Sequence, residues 1–260
     1  MRDHYGEVAV RVDGHVAVLT IDRPPHNHVT VELMRDLADA LAHVDVEKNL
    51  RVSMLMAAGK SFCAGADLTV PSGIVNPNGA PGMNALYVEA VRLFSAKKPI
   101  VAAVQGAAIG AGLGLALVAD FRVAAPEARF AANFVKLGFH PGFGITHTLP
   151  RVIGEQRAAL MCLTGRRIKA EEALAWGLVD EVAPLESLQD AAMTLAREIA
   201  EAAPLAVQST RATLRGELAA KVKAQTDHEF EEQSWLRKTH DFAEGVRAVA
   251  ERRPGNFTGS

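Results

Sequence analysis

The chain has 260 residues, 28 basic against 30 acidic, for a formal charge of −2. Hydrophobic residues make up 49% and charged residues 22%, with 33 Gly and Pro together, as in an ordinary globular chain and unlike collagen-like or low-complexity sequences. That balance leaves no basic face for nucleic acid. The two cysteines, Cys63 and Cys162, are too few for a disulfide scaffold and fit a reducing cytoplasm.

In chain order, Glu7–Val12 and Val16–Ile21 read as strands around Asp13-Gly14, a hairpin turn signal because type I′ turns need positive φ. Thr30 is placed to cap a helix whose apolar residues Val31, Leu33, Met34, Leu37, Leu41 and Val44 recur at helical spacing. Val52–Ala57 and Ile100–Val104 are short apolar runs, expected as buried strands. Between them, Thr69–Met83 collects Pro, Gly and Asn and reads as a mobile surface loop. Gly110–Ala119 is expected as a glycine-rich buried helix and Phe121–Ala124 as a strand. The apolar run Ala107–Ala119 is too short to cross a bilayer, and Met1–Glu7 is polar, without a signal-peptide pattern. From Glu186 onward the reading is helical: Glu186–Ala202, Leu205–Gly216 and Leu218–Glu251. The βαβαβ order implies an α/β core over residues 1–200, and the last helices an assembly region over 201–260.

Two segments carry chemistry. Ser61-Phe62-Cys63-Ala64-Gly65-Ala66-Asp67-Leu68 follows the strand Val52–Ala57, and Gln105-Gly106-Ala107-Ala108-Ile109-Gly110-Ala111-Gly112-Leu113-Gly114 follows Ile100–Val104. Small residues after a strand let backbone N–H groups approach a ligand, and two such turns on neighbouring strands can aim two N–H groups at one oxyanion. The plainer explanation is that small residues let a helix pack on a strand. No Cys/His cluster has metal-ligand spacing, and Gly110-x-Gly112-x-Gly114 is not the dinucleotide fingerprint.

With Asp22-Arg23-Pro24, Gly59 to Leu68, Lys98 to Gly106, the glycine segment ending at Asp120, Gly138, Pro141-Gly142, Gly144, Leu163-Thr164-Gly165 and Trp176-Gly177-Leu178-Val179 in order, the chain resembles the crotonase (enoyl-CoA hydratase/isomerase) superfamily over nearly its whole length. The resemblance implies an α/β spiral of ββα units with a C-terminal helical trimerisation subdomain, assembled as a homotrimer or a dimer of trimers. It implies a coenzyme A thioester as substrate or ligand, with no covalently bound cofactor, no metal and no membrane insertion. The thioester carbonyl would lie between the N–H groups of Ala66 and Ala111, the second being a position where hydratases usually carry glycine. His26, His28, Ala64, Asp67, Leu68 and Gly110 would border the CoA moiety, Asp67 also closing its turn and capping the helix after it. The basic tail Arg252-Arg253-Pro254 with Phe257 resembles tails that reach a CoA phosphate of a neighbouring subunit.

The departures from the family pattern bear on the reaction. The two glutamates that activate water in hydratases match Gly114 and Phe134 here, neither able to transfer a proton. His140, six residues past Phe134, is the proton-transfer candidate, with a backbone-bonded loop histidine as the alternative. His147 and Cys63 read as structural. Two functions stay open: an enoyl- or acyl-CoA enzyme (hydratase, isomerase, decarboxylase or C–C hydrolase) with a rearranged acid/base set, or an acyl-CoA-binding protein without catalysis.

Overall fold

A computed structural model describes residues 2–67 and 84–260. Leu68 and the surface loop read at Thr69–Met83 fall outside the described residues. The strands are β1 (His4–Tyr5), β2 (Val8–Asp13), β3 (Val16–Ile21), β4 (Val52–Ala57), β5 (Ile100–Val104), β6 (Ala107–Ile109), β7 (Phe121–Ala124), β8 (Arg129–Ala131), β9 (Arg167–Lys169) and β10 (Glu181–Val182). A seven-stranded sheet runs β1-β2-β3-β4-β5-β7-β10, parallel from β3 onward, and β6-β8-β9 form a second, small sheet.

The β2–β3 hairpin forms with Asp13 opposite Val16. Asp13 is the last strand residue, so the turn centres on Gly14-His15, and of these only Gly14 has positive φ. That is the type II′ pattern, with glycine first, and not the type I′ turn expected from Asp-Gly.

The central strands β3, β4 and β5 are mostly apolar because both faces are covered. Side chains alternate along a strand. Leu19, Ile21, Leu55, Ala57, Ile100, Ala102 and Val104 enter one core, while Val16, Val18, Val52, Met54, Val101 and Ala103 enter another. The first core is closed by helix α1 (Val31–Val46), whose Leu33, Met34, Leu37, Leu41 and Val44 are buried as their spacing predicts. Thr30 caps it, its side chain accepting from the Leu33 N–H at 3.1 Å. The second is closed by α7 (Leu188–Glu201) through Leu188, Ala192, Met193, Ala196 and Ala200.

Between these lie α2 (Ala85–Phe94), α3 (Ala111–Ala116), α4 (Ile145–Ile153), α5 (Glu155–Thr164) and α6 (Ala170–Trp176). The glycine-rich helix is thus six residues, shorter than the Gly110–Ala119 expected. After α7 come α8 (Pro204–Arg215), α9 (Leu218–Leu236) and α10 (His240–Ala250). The single helix expected over Leu218–Glu251 is broken because the Thr239 side chain accepts from the Phe242 N–H at 3.1 Å and starts a new helix. The break turns α10 onto residues 133–138, where Gly245 lies against Leu137 so closely that a Cβ would sit 2.4 Å from its carbonyl carbon. α9 packs on α2 and α4.

Candidate active site

The site lies past the carboxyl ends of the parallel strands β4 and β5, where open α/β sheets commonly place ligands. Two buried amides shape the first turn. Asn27, at φ +51°, donates from Nδ2 to the carbonyls of Ala58 and Ser61 at 2.9 and 2.8 Å, and its Oδ1 accepts from the Arg23 N–H. Gln105 Nε2 donates to the Ala57 carbonyl at 2.8 Å and also reaches those of Gly59 and Ser61. The turn then runs between two other segments. Cys63 N–H donates to Ala107 and Ile109 N–H donates back to Cys63, while Val29 N–H donates to Gly65.

Glycine permits this approach of backbone to backbone. A Cβ on Gly65, at φ +88°, would lie 2.7 Å from the Ile109 carbonyl oxygen, and one on Gly112 would lie 2.0 Å from that of Cys63. The small residues therefore pack turn against turn, and that packing brings Ala66 and Ala111 together. Both line one cavity of about 40 Å³. Neither N–H is taken by a backbone carbonyl among the described residues.

The rest of the cavity is aromatic on one part and polar on another. Phe134, Phe139 and Phe143 line it, with Phe134 edge-on to Phe139 and Phe139 edge-on to Phe242. A Cβ on Gly114 would meet the Phe143 ring at 2.6 Å. The ring fills the space a longer side chain would need.

The polar part is Tyr87 on α2, Gln233 on α9 and Arg237 just past its end. Gln233 Oε1 accepts from the Tyr87 hydroxyl at 2.9 Å and from Arg237 Nη2 at 3.2 Å, and its Nε2 donates to the His140 carbonyl at 2.9 Å. The amide's orientation follows, since a guanidinium only donates. Burial pushes the Tyr87 phenol above its ordinary range, so it stays a neutral hydroxyl. One turn before Gln233, Glu229 is buried against the start of α4, accepting from the Gly144 and Thr146 N–H groups at 2.7 and 3.1 Å. Burial pushes its carboxyl up to about 7.

The expected residues divide between this cavity and its surroundings. Ala66 and Ala111 are together in it, and Gly110 precedes Ala111 with its N–H bonded to the Ala131 carbonyl. His140 is not brought there. Its imidazole lines a separate pocket with Thr146, Cys162 and Leu236, and its Nδ1 is 2.8 Å from the Pro141 carbonyl oxygen. Only its backbone carbonyl enters the cavity's network. His26 is exposed and His28 half-buried, their rings 5.3 Å apart. His28 Nδ1 lies 3.1 Å from the Gly65 carbonyl oxygen, and the His26 carbonyl accepts from the Ala64 N–H. Asp67 ends the first described stretch. The residues directly after it, where a helix capped by Asp67 is expected, lie outside the described residues, and the next described helix, α2, is capped by the Asn84 side chain.

Burial pushes the Cys63 thiol up to about 12 and keeps it protonated. Arg253 of the basic tail is bonded within its own chain, to Glu244 and Glu251. No group of three potential metal-ligating side chains is found among the described residues.

The family is settled by a match to the family model described as Enoyl-CoA hydratase/isomerase over residues 11–260. The chain belongs to that family, the crotonase superfamily. Its members act on CoA thioesters. The chain is 37% identical to an (E)-benzylidenesuccinyl-CoA hydratase of Thauera aromatica, over 97% of this chain and 99% of that one. It is 35% identical to a 1,2-epoxyphenylacetyl-CoA isomerase of Escherichia coli, over 95% and 97% of the two chains. The crystal structure of an enoyl-CoA hydratase/isomerase from Pseudoalteromonas atlantica superposes with a TM-score of 0.87 at 32% identity, over 97% of this chain and all of that one. The fold is therefore the crotonase fold. No described helix is long and apolar enough to cross a membrane.

Tyr87, Gln233, Arg237 and Glu229 were not read from the sequence. Around the two turns nothing marks them, since Tyr87 is about 20 residues from the first turn and the others more than 100 from the second. A signal did exist in α9. Its buried residues Leu218, Val222, Thr226, Glu229 and Gln233 recur at helical spacing, and that inward stripe turns polar toward the C-terminal end.

Proposed function

We infer that this crotonase-superfamily chain processes an acyl- or enoyl-CoA by polarising the thioester carbonyl between the N–H groups of Ala66 and Ala111. The observation that carries the reading is that these two N–H groups, on turns 45 residues apart in sequence, belong to residues lining one cavity and carry no backbone partner among the described residues. Donors set in place before the reaction stabilise the developing enolate without reorganising. Hydration through paired glutamates is not supported, because Gly114 is closed over by Phe143 and Phe134 presents a ring. Isomerisation, decarboxylation and C–C hydrolysis are the reactions open to this cavity. No carboxylate or imidazole among the described residues lines it, and His140 would need its imidazole to swing from the neighbouring pocket to serve.

The aromatic wall, and the aryl-bearing thioesters in the names of the Thauera and Escherichia relatives, support an aryl-bearing acyl group. In a space of about 40 Å³ that wall yields when such a group enters. His26 and His28, bonded to the first turn, support a CoA path along it, beside Ala64, Asp67 and Gly110. Exposed Leu163, Leu205 and Leu214, at 76%, 80% and 74%, support self-association as a trimer or dimer of trimers, with residues 201–260 taking part. The second reading, an acyl-CoA binder without turnover, is favoured by the loss of a proton-transfer group at both 114 and 134.

The experiment is calorimetric binding of crotonyl-CoA and longer enoyl-CoAs, paired with an ultraviolet assay of their hydration. We expect binding with no enzyme-like hydration. Hydration at enzyme-like rates would overturn the reaction assignment, and absence of binding would overturn the ligand.

A further inference from the structure

Arg237 stands out on elementary electrostatics. A guanidinium carries five N–H donors and keeps its charge at any physiological pH. Here it follows the last residue of α9, lines the cavity that holds Ala66 and Ala111, and lies 5.7 Å from the centre of the Phe139 ring. Among the described residues, the only hydrogen bond of its guanidinium is from Nη2 to Gln233 Oε1. Its Nε is buried and meets no partner, and among the described residues no carboxylate lies within ion-pair distance of the group.

Elsewhere in the molecule, buried arginines have a carboxylate beside them, Asp180 at 3.9 Å from Arg122 and Asp120 at 2.8 Å from Arg211, although Arg211 keeps one Nη2 without a partner. Arg122 donates to the carbonyls of Leu178 and Ala119, and Arg211 to Asp120 and the Ala96 carbonyl. A charge withdrawn from water without an anion is costly, and the end of a helix and one aromatic face return little of that cost. The environment around Arg237 is therefore incomplete. What it lacks is an anion, and the available space is small.

We propose that Arg237 receives a carboxylate carried on the acyl part of the thioester, so that the preferred substrates are CoA monothioesters of dicarboxylic acids. The inference rests on reading the cavity as the acyl end of a CoA site. A carboxylate suits the position in three respects. It is planar and accepts two N–H bonds in parallel from the guanidinium edge. It is compact enough for a narrow cavity. It would also be oriented by a donor already fixed, since Gln233 is locked by Tyr87 on one side and by the His140 carbonyl on the other. A neutral acyl chain of the same length would leave the guanidinium as it stands, desolvated and unpaired.

The test uses the full chain and calorimetry with matched thioesters: succinyl-CoA against butyryl-CoA, and glutaryl-CoA against valeryl-CoA. The wild-type protein is expected to bind at least one dicarboxylic member roughly ten- to hundred-fold more tightly than its neutral match. Arg237→Gln is expected to abolish that preference while leaving the neutral thioester's affinity unchanged, which also shows that the variant is folded. Arg237→Lys, which keeps the charge and loses the fork, should restore part of the preference. Equal affinities within each pair in the wild type would overturn the proposal. So would an Arg237→Gln variant that weakens both members alike, because the guanidinium would then be serving CoA phosphates or the fold. Failure of the wild type to bind any of the four would overturn the CoA reading itself and the proposal with it.

Discussion

At the scale of single residues, Gly114 and Phe143 decide what the cavity excludes. Phe143 is fully buried at φ +65°, an unusual backbone region for a bulky side chain, and its ring rests where the Cβ of a residue at 114 would be. Position 114 is therefore packed and not empty. A glutamate placed there meets that ring. Gly114→Glu is expected to destabilise the protein by about 1–3 kcal/mol through overpacking. That corresponds to a fall in Tm of roughly 2–4 °C for each kcal/mol in a chain of this size. It should also bring no hydration of crotonyl-CoA, since Phe134 still faces the cavity. A variant that melts with the wild type would show that Phe143 moves aside freely. The family resemblance singles out positions 114 and 134 as departures from the hydratase pattern. It did not reveal what fills them, because Phe143 reaches Gly114 through a loop with no periodic pattern.

At the scale of elements, the sequence is most readable where one physical rule acts alone. Helix α1 carries an apolar stripe and a threonine cap, and its expected residues are buried except Val31 in the first turn, which is half-buried. Parallel strands β4 and β5 are covered on both faces, and their mostly apolar runs, interrupted only by Ser53, say so. The three-residue strands β6, β8 and β9 escape notice because pairing, and not pattern, defines them. The C-terminal helices show the same limit. The Thr239 cap lies within a run of good helix formers, so the break between α9 and α10 is invisible to periodicity alone. Within the region expected to serve assembly, α9 carries Gln233 to the cavity, with Arg237 just past its end, and Glu229 to the start of α4.

Glu229 also gives α9 a pH signature. Its carboxyl ordinarily titrates near 4.5 and is raised to about 7 in the folded protein. The folded state thus holds the proton more tightly than the unfolded state. The stabilising contribution is complete below about pH 4.5 and is lost as pH rises through about 7. By linkage its size is on the order of 3 kcal/mol. Urea unfolding from pH 5 to 8 should therefore show wild-type stability falling relative to Glu229→Gln, a variant less stable overall but flatter with pH. Parallel curves for the two proteins would assign the slope to other groups.

At the scale of the whole molecule, one buried cluster ties the C-terminal helices to the sheet. Asp120, at the end of the glycine-rich segment, accepts from Arg211 and Arg215 of α8 at 2.8 Å each and from the Ile100 N–H of β5 at 2.8 Å. Removing the carboxylate leaves two largely buried guanidinium groups, each of which already has an Nη2 without a partner. Asp120→Ala is expected to cost about 3–5 kcal/mol in urea unfolding. A loss under about 1 kcal/mol would mean that α8 is held by other contacts.

The family was legible over the whole chain because its turns, glycines and strand runs keep their order. The chemistry was legible only in part, since the backbone donors come from motifs and the polar side chains facing them come from helices remote in sequence. The most direct measurement of the central claim is the 13C NMR signal of a carbonyl-labelled crotonyl-CoA bound to the wild type and to Ala111→Pro. Ala111 is the first residue of α3, where proline is tolerated, and proline there replaces the N–H with a ring methylene that cannot donate. Polarisation between Ala66 and Ala111 predicts a downfield shift of the bound carbonyl in the wild type, mostly lost in the variant while binding persists. A bound thioester whose carbonyl signal stays at its free position, or shifts equally in both proteins, would contradict the account.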